Sequence, residues 1–144
     1  MPDKYPPFTI AETKEWIELC INKKNGYDQK AIETLEGKHI GWVDLKNFDY
    51  SNHHAEIGIT IGDKNYWGKG YGQAAMYAML HYGFTIKNLN KIWLRVDMDN
   101  EKAIRSYKIS GFVEEGVLRA DRYKNGQYID RLRMSILKRE FIAD

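Results

Sequence analysis

Cys20 is the chain's only cysteine, so no disulfide closes within the chain and no cysteine-built zinc site is available. A reducing, cytoplasmic setting is the expectation. An excess of one charge is also missing. The 22 Lys and Arg stand against 20 Asp and Glu, a formal net charge of +2, so charge alone argues for no nucleic-acid partner. No apolar run approaches the ~20 residues that cross a bilayer. The opening Met1-Pro2-Asp3-Lys4-Tyr5-Pro6-Pro7 lacks the apolar stretch of a secretory signal. Neither a membrane nor export is therefore expected, and repeats and low-complexity tracts are missing too. The chain that remains is ordinary: 144 residues, 43% hydrophobic and 29% charged. That suits a single domain over 1–144 with one continuous core.

Punctuation and periodicity divide this domain into elements. Thr9-Ile10-Ala11-Glu12 forms a capping box, and Trp16, Leu19 and Cys20 follow at helical spacing to about Asn22. Gln29–Leu35 and His39–Leu45 alternate as strands around the Glu36-Gly37-Lys38 turn. Asn47–His53 reads as a polar turn. Ala55–Ile61 is a third strand, with β-branched residues at alternate positions. Gln73–Phe84 is so apolar that a helix there must lie against a sheet. Ile92–Val96 is a strand and Asn100–Ile109 a helix stopped by Gly111. Phe112–Tyr123 and Tyr128–Leu137 are strands joined by Asn125-Gly126, a hairpin signal. Hairpins at both ends around a strand–helix–strand unit predict an α/β fold with a mixed sheet.

The sharpest chemical signal is Gly68-Lys69-Gly70-Tyr71-Gly72, set between the third strand and the apolar helix. Alternate glycines leave backbone N–H groups unobstructed, so they can curl around an anion. The helix that follows adds its positive end. The run from Gly68 to Gln73 is read as a phosphate cradle, with Lys69 adding charge. A tight turn would also use such glycines. Gly70-x-Gly72-x-x-Ala75 matches a dinucleotide fingerprint, but Gly62–Trp67 separates it from its strand. A P-loop is excluded because no Gly-Lys-Ser/Thr occurs. Downstream, Asn100, Ala103 and Tyr107 recur on one helix face ahead of Gly111-Phe112.

Together these two clusters resemble the GNAT superfamily of acetyl-CoA-dependent N-acetyltransferases. The family's pyrophosphate loop, Gln/Arg-x-x-Gly-x-Gly/Ala, is matched by Trp67-Gly68-Lys69-Gly70-Tyr71-Gly72 from its fourth position, with Trp67 departing at the first. Asn100…Tyr107…Gly111-Phe112 is similar to the second cofactor motif. Trp67, the Tyr123–Tyr128 hairpin and Met134-Ser135-Ile136-Leu137 look like the branch acting on ribosomal-protein N-termini, polyamines and small amines. The resemblance implies a mixed, mostly antiparallel central sheet flanked by helices. It also implies acetyl-CoA as cosubstrate and a primary amine as acceptor, attacking directly in a ternary complex. Members usually carry a further strand and helix ahead of the segment resembling Phe8–Trp16. The chain is expected to be short there, which leaves room for a homodimer that covers the acceptor pocket wall.

Roles follow from that resemblance. Tyr107 is the expected acid for the departing sulfur, since a phenol can donate. Glu56 matches the position of a base in several members and would act through water; alternatively it is a solvent-facing strand carboxylate. A backbone N–H on Ile59, Thr60 or Ile61 would serve the thioester oxygen. The cofactor arm would lie along that strand and be held by Asn100, with its diphosphate on Trp67, Gly68, Lys69, Gly70, Tyr71, Gly72 and Gln73. No metal is expected: His53-His54 point apart on a turn. Cys20 is read as a packing residue, which leaves no covalent acetyl-enzyme. Trp16, Trp42 and Trp93 are expected in the core. Arg119, Arg122, Arg131 and Arg133 are read as a solvated strand face, with pairing to the terminal phosphate of CoA or to an acidic partner as the alternative; Asp121 and Asp130 beside them would instead attract a cationic acceptor. Two rivals remain, a non-catalytic CoA-binding module and a nicotinamide-dependent oxidoreductase.

Overall fold

The computed structural model describes residues 28–62 and 64–142. The helix expected over Thr9–Asn22, with Trp16 and Cys20, lies outside the described residues. Six strands form one sheet: β1 (Asp28–Glu33), β2 (His39–Asp49), β3 (His54–Ile61), β4 (Lys91–Asp97), β5 (Val113–Lys124) and β6 (Gln127–Leu137). Helix α1 (Tyr71–Thr85) connects β3 to β4, α2 (Glu101–Ile109) connects β4 to β5, and α3 (Lys138–Ile142) follows β6. The spatial order is β1-β2-β3-β4-β6-β5. Only β3 and β4 run parallel, as a strand–helix–strand crossover requires.

The polar segment Asn47–His53 is not all turn. β2 continues to Asp49, with Asn47 at φ 52° and an irregular register against β3. Asn125 and Gly126 turn β5 into β6 with φ of 51° and 76°, the left-handed pair that a two-residue hairpin needs.

Alternate strand residues build the core. Ile32, Val43, Leu45, Ile57, Ile92, Leu94, Leu132, Met134 and Ile136 are buried on one sheet face, against Met76, Met79, Leu80 and Phe84. Helix and sheet approach closely at Gly83, where a Cβ would stand 2.6 Å from Ile92 Cδ1. Tyr82 Oη donates to the buried Asp28 carboxylate at 2.7 Å, tying α1 to the edge strand.

The opposite sheet face carries the alternate set: Trp42, Asp44 and Lys46 on β2, Glu56 on β3, Trp93 and Arg95 on β4, and Arg131 and Arg133 on β6. Strand β3 pairs with β4 through His54↔Lys91, Ala55↔Ile92 and Glu56↔Trp93 and no further. Beyond Glu56, β3 stays with β2 as far as Ile61, while β4 stays with β6 as far as Asp97. The sheet therefore opens as a V between Ile57–Ile61 and Leu94–Asp97.

Candidate active site

The open V places the site. Each strand of an antiparallel pair directs alternate backbone groups to either side. Beyond Glu56, β3 is thus hydrogen-bonded to β2 on one side and offers backbone donors and acceptors to the gap on the other.

The glycine bend closes one end of this gap. Gly68 and Gly70 have φ of 73° and 88°, a region that glycine enters without steric cost. A Cβ at Gly68 would meet nothing within 4 Å, so the bend opens outward. Among the described residues, the amides of Gly68, Lys69 and Gly70 donate to no backbone carbonyl. The first turn of α1 adds further amides that a helix cannot satisfy internally. Trp67 is pinned beside them by Nε1 donating to the Ile61 carbonyl at 2.6 Å.

Helix α2 forms the facing wall. Asn100 caps it, its Oδ1 accepting from the Ala103 amide at 3.2 Å. Between bend and helix lies a cleft of about 440 Å³, whose wall includes Ile59, Ile61, Trp67, Gly68, Gly70, Gly72, Gln73, Asn100, Ser106 and Tyr107. A second cavity of about 410 Å³ lies on the charged sheet face, with Asp44, Lys46, Glu56, Thr60, Arg95 and Arg131 in its wall. Ile59 and Tyr107 line both cavities, so they stand where the two meet. Burial pushes the Tyr107 phenol above its ordinary value, which keeps its proton in place at neutral pH.

Glu56 is buried rather than solvent-facing. Its Oε1 accepts from Asn47 Nδ2 at 2.7 Å and its Oε2 from Arg95 Nε at 3.1 Å. The alternative of a solvated strand carboxylate is therefore set aside. Trp42 and Trp93 are corrected as well. Both lie on the sheet face away from α1, Trp42 in the wall of the second cavity and Trp93 with the Arg133 guanidinium 3.9 Å from its ring centroid. The arginines are not simply solvated: Arg131 and Arg133 pair with Asp121 and Glu115, and Arg122 pairs with Asp97.

Most residues expected at the cofactor meet in the first cleft. Thr60, Lys69 and Tyr71 are not among the described residues that line it; Thr60 faces the second cavity. Lys69 Nζ lies 6.0 Å from the Tyr66 ring centroid and Tyr71 meets Tyr66 edge-on, so both contact the cleft through Tyr66. Tyr66, Met76, Lys102, Ala103, Ser106 and Ser110 also line the cleft. Ser106 and Ser110 lie three and seven residues beyond Ala103, a helical spacing that their face already announced.

The parallel unit thus opens into a V, with the glycine bend at its mouth and the Tyr107 phenol where the two cavities meet. The chain belongs to the acetyltransferase (GNAT) domain family, which matches residues 1–113. It is similar to spermidine N(1)-acetyltransferase of Escherichia coli strain K12, 36% identical over 133 residues, covering 90% of this chain and 71% of the relative. Spermidine N(1)-acetyltransferase of Vibrio cholerae is 39% identical over 134 residues, covering 91% and 77%. A solved dodecameric spermidine N-acetyltransferase from Vibrio cholerae superposes with a TM-score of 0.78 at 37% identity, covering 83% of this chain and 69% of that one.

The protein is thus an N-acetyltransferase that moves an acetyl group to an amine. Members of this family take the acetyl group from acetyl-CoA. The oxidoreductase and non-catalytic readings are not favoured, and the turn at Lys64–Tyr66 keeps the glycines away from the end of β3. Among the described residues no helix is long and apolar enough to cross a membrane.

Proposed function

We propose that this chain transfers the acetyl group of acetyl-CoA to a primary amine of a polyamine, with the cosubstrate in the first cleft and the acceptor in the second. The junction of the two cavities at Tyr107 and Ile59 carries the reading, because donor and acceptor must meet within bond-forming distance. The bend suits a diphosphate: Gly68 is open, the amides of Gly68, Lys69 and Gly70 point to no described backbone acceptor, and a helix begins there. Acetyl-CoA supplies an activated thioester. Gly68, Gly70, Gly72 and Gln73 hold its phosphates, and Trp67 closes the bend. Ile59 and Ile61 present the open edge of β3 to the pantetheine arm, with the Ile61 carbonyl already held by Trp67, while Thr60, one residue out of phase, turns its backbone to β2. Asn100 keeps its Nδ2 for that arm while Oδ1 caps α2. Lys69 and Tyr71 contact the cleft through Tyr66.

The chemistry divides among three groups. An alkylamine near pKa ~10 is mostly protonated at neutral pH, so a proton must leave before attack. Glu56 takes it through water; among the described residues its Oε2 accepts one bond and keeps a lone pair. An amide on the open edge of β3 donates to the carbonyl oxygen as charge builds there. Tyr107, held protonated by burial, gives its proton to the departing sulfur.

The polyamine reading is supported by the likeness to spermidine N(1)-acetyltransferases and by Asp44 and Glu56 in the wall of the second cavity. A protein N-terminus is the alternative acceptor. A homo-oligomer goes with this reading: the solved relative is dodecameric, and Val113, Val117 and Tyr123 stand exposed along β5. A cytoplasmic location, where acetyl-CoA and polyamines meet, completes it. The test is thiol release from acetyl-CoA with spermidine, n-butylamine and an alanine-led peptide. Release with spermidine is expected, and none with any amine ends the proposal.

A further inference from the structure

Strand β5 carries two bulges, and both hand a carboxylate to the charged sheet face. At the first, Glu114 pairs with Met134 and Gly116 with Arg133, so Glu115 is the extra residue. It accepts from Ser135 Oγ, Lys91 Nζ and Arg133 Nε at 2.6, 3.0 and 3.1 Å. At the second, the five residues from Leu118 to Arg122 span what three cover from Arg131 to Ile129. Ala120 sits there at φ 51°, left-handed backbone that alanine seldom adopts. Asp130 Oδ1 holds it, accepting from the Ala120 amide at 2.7 Å.

What this strained bulge delivers is Asp121. Its Oδ2 accepts from Arg131 Nε at 2.9 Å and from Arg95 Nη1 at 3.4 Å. Arg95 in turn grips Glu56. The wall of the second cavity holds two carboxylates, Asp44 and Glu56, against three cations, Lys46, Arg95 and Arg131. Asp121 stands just behind the last two and levels that balance. Without it, a groove meant for an ammonium-bearing molecule would turn positive.

We propose that Asp121 is a specificity-determining residue for the acceptor: by neutralising Arg95 and Arg131 it lets the groove admit a molecule that keeps a second ammonium group beside the reacting amine. The inference rests on the acceptor reading above and names the feature of the acceptor that matters. Asp121 touches neither donor nor amine and acts through the two guanidinium groups.

Spermidine and n-butylamine separate this role from a structural one, since both carry a reacting amine but only spermidine keeps further charge. In Asp121→Asn the KM for spermidine is expected to rise about tenfold, with kcat and the KM for n-butylamine within about twofold. The difference should shrink in 0.5 M salt. Asp121→Glu should rescue it, and so should Asp121→Asn combined with Arg131→Gln, which restores the charge balance. Calorimetry with CoA should give the wild-type affinity in every variant. An unmoved ratio of the two KM values, or an equal loss for both amines, overturns the inference while the acceptor reading stands. Wild-type enzyme that acetylates neither amine overturns both.

Discussion

Gly68 offers the cleanest separation of binding from folding. Its φ of 73° is left-handed, and a Cβ there would meet nothing within 4 Å. Replacement by valine therefore costs stability through backbone strain alone, about 1–2 kcal/mol. In a chain of 144 residues that corresponds to a melting point lower by about 3–8 °C. The effect on CoA should be larger. On the proposed function the new side chain projects into the mouth assigned to the diphosphate, and each hydrogen bond to a charged group is worth about 1.5–3 kcal/mol. Losing one weakens binding about 10- to 150-fold, read by calorimetry on folded protein at 15 °C. Two controls frame the result. Gly62, with open space around its Cβ and no left-handed φ, should accept alanine without effect. Gly83→Ala drives a Cβ to 2.6 Å from Ile92 Cδ1 and 3.2 Å from Leu45 Cδ1. It should cost about 1–3 kcal/mol by overpacking and leave CoA affinity alone. A Gly68→Val protein that melts earlier yet binds CoA with wild-type affinity would refute the cradle.

Tyr107→Phe should lower kcat by about 10²- to 10⁴-fold and leave the CoA dissociation constant within about twofold; undiminished turnover removes Tyr107 as the acid. Burial raises the Tyr107 phenol, and a raised acid holds its proton to higher pH. The kcat profile should therefore show no alkaline limb from this group below about pH 10, the ordinary phenol value. An alkaline limb near pH 8 that vanishes in Tyr107→Phe contradicts that. Tyr82→Phe leaves the buried Asp28 with Lys87 at 3.3 Å and without its 2.7 Å phenol donor, so urea denaturation should report a loss of about 1–3 kcal/mol with acetyl transfer preserved.

Local chemistry was readable in the sequence, while long-range geometry was not. The glycine run, the Asn125-Gly126 turn and the Gly111 helix stop each follow from backbone requirements that a few neighbouring residues satisfy or fail. The strand order does not: placing β6 between β4 and β5 depends on pairings such as Trp93↔Ser135, more than forty residues apart. For Trp42 and Trp93 strand parity, and not hydrophobicity, decides the face. Ile92, Leu94 and Val96 claim one face of β4, so Trp93 belongs with Lys91 and Arg95 on the other, where cation contacts take the place of core packing.

Glu56 shows why a site can hide in a strand that reads as ordinary. Its neighbours Ala55 and Ile57 are core residues, so periodicity alone sends its side chain to the opposite face. What makes that face a pocket is the loss of pairing between β3 and β4 just beyond it. What holds the carboxylate within it is Arg95, whose second partner is Asp121, delivered by a bulge on a strand two places from its own. A bulge without a glycine leaves almost no mark in sequence, and the second one has Ala120 at its strained position. The charge of the acceptor groove is thus set by backbone irregularity in β5 as much as by the residues that line it. Any substitution that straightens β5 should therefore alter acceptor choice before it alters the fold.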